Sequence, residues 1–300
     1  MLSINIPVYN IEVVKLVKQL AAQAEVLKIE YEIRVYDDGS DEIYKSINKY
    51  ILQIPHVVYI ELEKNLGRSG IRNKMATDSL FELLLFMDAD SKVVREDYLS
   101  KYIKNFELQS VMCGGRSYAT LKPQDEEKIF HWTYGVKREA ISVKKRTPGK
   151  GFFFMSNNFI LEKKTFKKVN FREEIQEYGH EDTLFGFDLI CNRYQIVHVD
   201  NPLEHTGLES AQIFLRKSRL ALDNLHLITE NLVEEESSFG KQVNFLRKYN
   251  RIIQFVPIRL ICFLFKKSKD KLERNLKGKQ PSLLLFDFYK LGYYSTIKNR

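Results

Sequence analysis

Two carboxylates one residue apart, Asp88 and Asp90, close a run that is otherwise apolar, Leu83 to Met87. Side chains at i and i+2 of an extended segment point the same way, so the pair can converge on one divalent cation, directly or through water. Hard oxygen ligands suit Mg²⁺ or Mn²⁺, and such an ion neutralises the charge on a departing diphosphate. The plain alternative is a solvated turn after a strand.

Four further clusters offer chemistry. Asp37-Asp38-Gly39-Ser40 carries carboxylates able to accept hydrogen bonds from a base or a ribose, or else to form an Asx-turn capping a helix from Glu42. Asn65-Leu66-Gly67-Arg68-Ser69-Gly70-Ile71-Arg72-Asn73 brings two arginines to a helix start, where phosphate is favoured, with Ser69 as the expected N-cap. Gly179-His180-Glu181-Asp182-Thr183 sets two acids at another helix start. Either could serve as a general base facing an acceptor, or both could simply complement the helix dipole. His205, in Glu204-His205-Thr206-Gly207, is a candidate metal ligand, although a lone histidine is more often structural.

These clusters need elements to hold them. Apolar runs at Leu2 to Val8, Tyr31 to Tyr36, His56 to Leu62 and Leu83 to Met87 read as strands. Helical spacing fills the gaps at Val13 to Ala24, Glu42 to Leu52 and Ser69 to Leu80. Alternation of this kind predicts an α/β fold with a mostly parallel central sheet, covered on both faces. The polar clusters then fall at the carboxyl ends of strands, where open α/β sheets bind ligands. Later, the pattern predicts helices at Glu126 to Ala140, Glu181 to Cys191 and Ala211 to Thr229, and a strand at Gln195 to Val199. Thr147 to Gly151 reads as a turn or loop and Phe152 to Ile160 as an apolar run.

As an ordered set, Pro7-Val8-Tyr9-Asn10, Asp37 to Ser40, Asn65 and Gly67 with Arg72 and Asn73, Asp88-Ala89-Asp90, and Gly179-His180-Glu181-Asp182 resemble glycosyltransferase family 2. Ile71 stands where that family usually has Ala. The resemblance covers roughly residues 1 to 215. It implies an inverting transferase of GT-A (Rossmann-like) fold at 1–235, moving sugar from a nucleotide-diphosphate sugar, UDP-linked by family habit, to a glycan or lipid-linked acceptor. By position it implies Pro7, Tyr9, Asn10 and Asp38 at the nucleotide with Asp37 close by. Arg72 would reach the base or phosphates, and Asp88 the ribose or metal. Asp90 would be the principal ligand of Mn²⁺ or Mg²⁺, with His205 a further one. Asp182 would be the catalytic base, beside Glu181. A nucleotidyltransferase is the nearest alternative, but the Gly-rich, Lys-containing loop such enzymes use is missing after Val8. A non-catalytic nucleotide-sugar or glycan-binding module would not need both a metal pair and a base.

Composition bounds the rest. Hydrophobic residues make up 44% and charged residues 29% of 300 residues, so most of the chain folds as a globular α/β domain with an appendage. Three scattered cysteines fit neither a disulfide framework nor a zinc knuckle. The N-terminus enters a strand without a signal-peptide pattern. The longest apolar run, Ile252 to Phe265, is shorter than a membrane span and interrupted by Pro257 and Arg259. A cytoplasmic protein is therefore expected. The net charge of +8 favours polyanions, but charge alone does not argue for nucleic acid. The excess is uneven, with many Lys and Arg against few acids in residues 241–300, and residues 236–300 read as a basic, aromatic, helical extension. That segment suits the cytoplasmic face of an anionic membrane, packing on the core, or a homodimer contact.

Overall fold

The structure is a computed structural model that describes residues 1–146, 154–175, 178–233 and 236–299. The Thr147 to Gly151 turn, the start of the Phe152 run and the boundary placed at residue 235 lie outside the described residues.

Ten strands are present among them: β1 (Leu2–Val8), β2 (Tyr31–Asp37), β3 (Val57–Glu61), β4 (Leu83–Met87), β5 (Ser91–Lys92), β6 (Ser110–Cys113), β7 (Arg116–Ser117), β8 (Asn158–Glu162), β9 (Gln195–His198) and β10 (Leu203–His205). Seven form one sheet in the order β3-β2-β1-β4-β8-β6-β9. Only β8 runs against its neighbours, antiparallel to both β4 and β6. The others are parallel, as the βαβ pattern predicts. The remaining three make a small ribbon, β5-β10-β7.

The strands are apolar on both faces because both faces are covered. In β4, Leu85 and Met87 join a cluster with α1 (Val14–Leu27), whereas Leu84 and Phe86 point the other way. The first layer also takes Tyr98, Leu99 and Tyr102, and the second takes Ile71 and Met75. Each fully buried Leu, Ile or Phe contributes roughly 1.5–3 kcal/mol, so this core fixes the strand ends firmly. Helix α2 (Glu42–Asn48) continues as a 3₁₀ turn, Lys49–Gln53.

Helix α3 (Gly67–Asp78) begins two residues before the expected Ser69 cap. Ser69 is buried inside the helix instead. Its place is taken by Asn65 Oδ1, which accepts from Gly67 N at 2.9 Å, and by Asp38 Oδ1, which accepts from Leu66 N at 2.7 Å. Helix α4 (Tyr98–Asn105) carries no expectation from the sequence. The expected helix at Glu126 to Ala140 is broken into a 3₁₀ turn (Glu126–Lys128), α5 (Ile129–Tyr134) and a π turn (Gly135–Glu139). Helices α6 (Val143–Arg146), α7 (Lys163–Lys168), α8 (Glu181–Cys191) and α9 (Ala211–Leu227) follow.

The extension folds into α10 (Glu236–Gln242), α11 (Asn244–Ile253), α12 (Ile258–Leu276) and α13 (Leu283–Lys298). It packs on the rest of the chain. Phe239, Leu246, Tyr249 and Tyr294 cluster with Leu184, Leu222 and Leu225, and Phe265, Phe286 and Tyr289 cluster with Phe130, Phe214 and Leu215. No helix among the described residues is long and apolar enough to cross a membrane.

Candidate active site

A cavity of about 510 Å³ opens at the carboxyl ends of the parallel strands. Pro7, Tyr9 and Asn10 line it after β1, Asp38 after β2, Asn65, Gly67, Arg68 and Arg72 after β3, and Asp88 and Asp90 after β4. Its volume suits a small organic ligand. Tyr9 is 59% exposed and presents its ring to the cavity. Asn10 adopts a left-handed backbone (φ 51°), and its side-chain oxygen accepts from Asp41 N at 2.7 Å. This ties the β1 end to the β2 end.

The neighbouring acids Asp37 and Asp38 differ in their surroundings. Asp37 is fully buried, accepting from Ser40 N at 2.7 Å and from the Tyr59 hydroxyl at 2.9 Å. It does not line the cavity, and its oxygens serve the turn. Asp38 does line the cavity. Burial raises its pKa, partly offset by the amides of Leu66 and Gly67.

Asp88 and Asp90 also part company. Asp88 Oδ1 accepts from Arg72 Nη2 at 2.8 Å and its Oδ2 from Arg116 Nη2 at 3.0 Å, so both oxygens are held by guanidinium groups. Asp90 faces His205, whose Nδ1 lies 3.2 Å from Oδ1. The ribbon makes this meeting possible, because β10 pairs His205 with Ser91. Thr206 N donates to Asp90 O at 2.8 Å and locks the turn. A Cβ on Gly207 would collide with the Asp90 carboxylate, so glycine there lets the carboxylate lie against the backbone. Burial opposes the charge on Asp90, but His205, Arg116 and Arg68 outweigh it and hold the carboxyl well below its usual range.

Asp90 Oδ1 and both ring nitrogens of His205 are shielded from solvent, and the 3.2 Å contact of Oδ1 with Nδ1 is an electrostatic approach that lacks hydrogen-bond geometry. Buried polar atoms are rarely left so. A carboxylate oxygen and an imidazole nitrogen are a donor set that suits Mn²⁺ or a similar divalent ion, so these residues fit a metal. Among the described residues no group of three or more His, Cys, Asp and Glu could hold an ion. An ion here would therefore fill its shell with water or phosphate oxygens, as Mg²⁺ habitually does.

The facing wall comes from late in the chain and was largely missed in the sequence. Arg116 reaches Glu139 at 3.2 Å as well as Asp88, and the Tyr118 hydroxyl donates to the same Glu139 oxygen. The π turn presents Glu139, and Gly135 within it leaves room for the Tyr118 ring. His131 is pushed down to about 3, first by burial and then by His205, and stays neutral; its Nδ1 accepts from Glu209 N at 3.0 Å. Tyr178, Gly207, Glu209 and Lys217 line the cavity itself, whereas Arg116, Tyr118, His131 and Glu139 support it from outside the lining. The Tyr178 ring sits between the Arg68 guanidinium (4.7 Å) and Lys217 (4.8 Å). One signal in the sequence could have found Arg116: it follows the Gly114-Gly115 end of an apolar strand, as Asp88 follows its own.

Glu181 and Asp182 start α8 and do not line the cavity. Glu181 is linked to it through Arg68, whose Nη1 lies 3.1 Å from Oε1. Burial raises the Glu181 pKa, but Arg68 and Arg72 win and hold it ionised. Asp182 goes the other way, pushed up to about 7 by burial and by the charge on Glu181. The amide of Thr183, donating at 2.6 Å, only partly resists this.

No curated protein matches this chain. S. aureus TarS has a similar fold, with a TM-score of 0.55 and 18% identity over 99% of this chain and 55% of TarS. A mannosyltransferase from Pyrobaculum calidifontis, solved with GDP-Man and Mn²⁺, gives a TM-score of 0.57 and 11% identity over 99% of this chain and 86% of its own. The chain thus spans little more than half the length of TarS. Both likenesses concern the fold, which is that of the GT-A glycosyltransferases expected from the motifs. The model of glycosyl transferase family 2 matches residues 3–169, more than half of the chain, and includes the strand ends that line the cavity. This chain belongs to glycosyl transferase family 2.

Proposed function

We propose that this glycosyltransferase moves a sugar, with inversion, from a nucleotide-diphosphate sugar to a glycan or lipid-linked acceptor, with help from a divalent metal. A UDP-sugar is the first choice of donor. The observation that carries the reading is Asp90 Oδ1 and the two ring nitrogens of His205, shielded beside the cavity without a hydrogen bond. The mannosyltransferase of similar fold holds a nucleotide sugar and Mn²⁺.

In this reading Tyr9 stacks on the base and Asp38 receives its hydrogen bonds, with Pro7 and Asn10 shaping the turn beside them. Asp90 and His205 would hold Mn²⁺ or Mg²⁺, which when bound supplies positive charge to the leaving diphosphate. Arg72, fixed against Asp88, points a permanent charge at the same region. Asp88 orients Arg72 and Arg116 and reaches the ribose. Asp182 takes the proton from the acceptor hydroxyl, since a carboxyl with a pKa near 7 can bind a proton at working pH. One displacement by that hydroxyl inverts the anomeric carbon without a covalent enzyme intermediate. The acceptor is met in the cytoplasm or at the cytoplasmic face of an anionic membrane. Homodimerisation through the extension is a second use for that segment.

The test is a panel of UDP-, GDP- and dTDP-sugars scored for nucleoside diphosphate release with Mn²⁺, Mg²⁺ or chelator. Release should depend on metal and vanish in Asp90→Ala. The anomeric configuration of the product, read by NMR, should be opposite to that of the donor. Metal-independent release, or retention of configuration, would overturn the corresponding part.

A further inference from the structure

Packing on the catalytic domain consumes most of the apolar surface of the extension, but not all of it. One stripe of α12, Ile261, Phe265, Leu272 and Leu276, is buried. A second stripe at helical spacing, Leu260, Phe263 and Leu264, is 47%, 52% and 46% exposed. Phe255, in the short link from α11 to α12, is 81% exposed. Single exposed apolar residues are ordinary, but a cluster at one corner calls for an occupant.

The charge around this corner identifies the occupant. Between residues 237 and 269 there are eight Lys and Arg residues and no Asp or Glu. Arg251, Arg259, Lys266 and Lys267 are exposed there. Lys267 lies 4.6 Å from the Phe263 ring centroid, so cationic and apolar groups share one surface. Large aromatic and aliphatic side chains flanked by basic ones, on a helix too polar to span, suit the interface of an anionic bilayer. A protein partner would normally bring mixed charge and find some acid to pair.

We propose that the α11–α12 corner is a docking surface for an anionic lipid bilayer, with Phe255, Leu260, Phe263 and Leu264 entering the headgroup region and the basic residues holding lipid phosphates. The proposal rests on the reading that the acceptor is met at a membrane, and is independent of the identity of the sugar.

The test uses the full-length protein and vesicles of phosphatidylcholine alone or mixed in equal parts with phosphatidylserine. The protein should sediment with the mixed vesicles only, and high salt should release it. Phe255→Ser should weaken binding roughly tenfold, and Lys266→Gln or Lys267→Gln about fivefold each. Leu284→Ser, exposed on α13 away from the corner, should bind as the parent does. Equal binding to neutral vesicles, no binding at low salt, or equal loss in Leu284→Ser would overturn the proposal. So would a concentration-dependent dimer that Phe255→Ser dissociates in the absence of lipid. All variants should melt as the parent does and release nucleotide equally without vesicles. If the parent releases none, the transferase reading fails. If release is intact and vesicles are ignored, only the membrane surface falls.

Discussion

Tyr9, Asp38, Asn65 and Asp88 stand just beyond the ends of neighbouring strands, each placed by a turn of a few residues. Across the cavity, Tyr178, Glu209 and Lys217 come from late in the chain, Arg116 grips Asp88 from its own distant strand, and His205 reaches Asp90 across 115 positions. The first wall is rigid because the sheet beneath it is closed-packed; its polar groups need only point outward. The second is assembled by side-chain contacts: the Arg116–Glu139 pair, the two cations on Tyr178, and the pairing of β5 with β10. Under the proposed function, local turns hold the nucleotide, whereas long-range contacts place the groups that act on the reacting bond. Variants of the first wall should therefore change donor affinity, and variants of the second should change turnover.

Asp182→Asn, beside the Glu181 that Arg68 ties to Tyr178 of the second wall, is the most severe trial of that division. Turnover should fall by roughly 10²–10⁴-fold, the usual worth of positioned proton transfer, with donor affinity nearly unchanged. If Glu181→Gln is inactive and Asp182→Asn is not, the base is Glu181. If both variants keep normal turnover, neither acid is the base and the catalytic part of the comparison fails.

Gly207→Ala comes next. Its new methyl would push Asp90 away from His205, and a misplacement near 1 Å costs about 10²-fold. The melting temperature should hold while Mn²⁺ affinity, read calorimetrically without donor, declines. Unchanged metal affinity would mean that the Asp90–His205 pair has another purpose.

The pH profile is a finer probe. Asp182 must be deprotonated to accept a proton, and its pKa is raised to about 7. Turnover should therefore rise with pH up to about 7, by close to tenfold per pH unit on the acid side. A flat profile between pH 5 and 7, an interval in which an ordinary aspartate is already ionised, would mean that burial and Glu181 do not hold the proton there.

Tyr9→Ala should have the smallest effect. Stacking of a base on an aromatic ring is worth about 1–3 kcal/mol, so the donor KM should rise about tenfold or more with kcat preserved. A fall in kcat with KM constant would show that the first wall also shapes the transition state.

The same difference decides what was legible in the sequence. Four apolar strands and the bounds of α8 follow from local patterning, because tertiary context agrees with it there. The reversal of β8 does not, since an apolar strand buried on both faces reads the same in either direction. The ribbon strands are two or three residues long and have no periodicity of their own, so the meeting of Asp90 and His205 appears only in three dimensions. Asp37 and Asp38 form one motif in sequence but divide in the fold, one into the turn and one onto the cavity. Ser69 has the right chemistry for a cap, yet the Asp38 carboxylate reaches the helix end first.

The reversal of β8 has an evolutionary consequence. Because β6 and β8 are antiparallel neighbours, the intervening chain leaves β6 at Gly114 and enters β8 after Asn157 at one and the same end of the sheet. Such a segment can lengthen, shorten or be replaced while the strands beneath keep their register, as loops on a rigid scaffold commonly do. The fold thus carries an exchangeable cassette, through which descendants of one enzyme can diverge while the strand ends that line the cavity stay as they are.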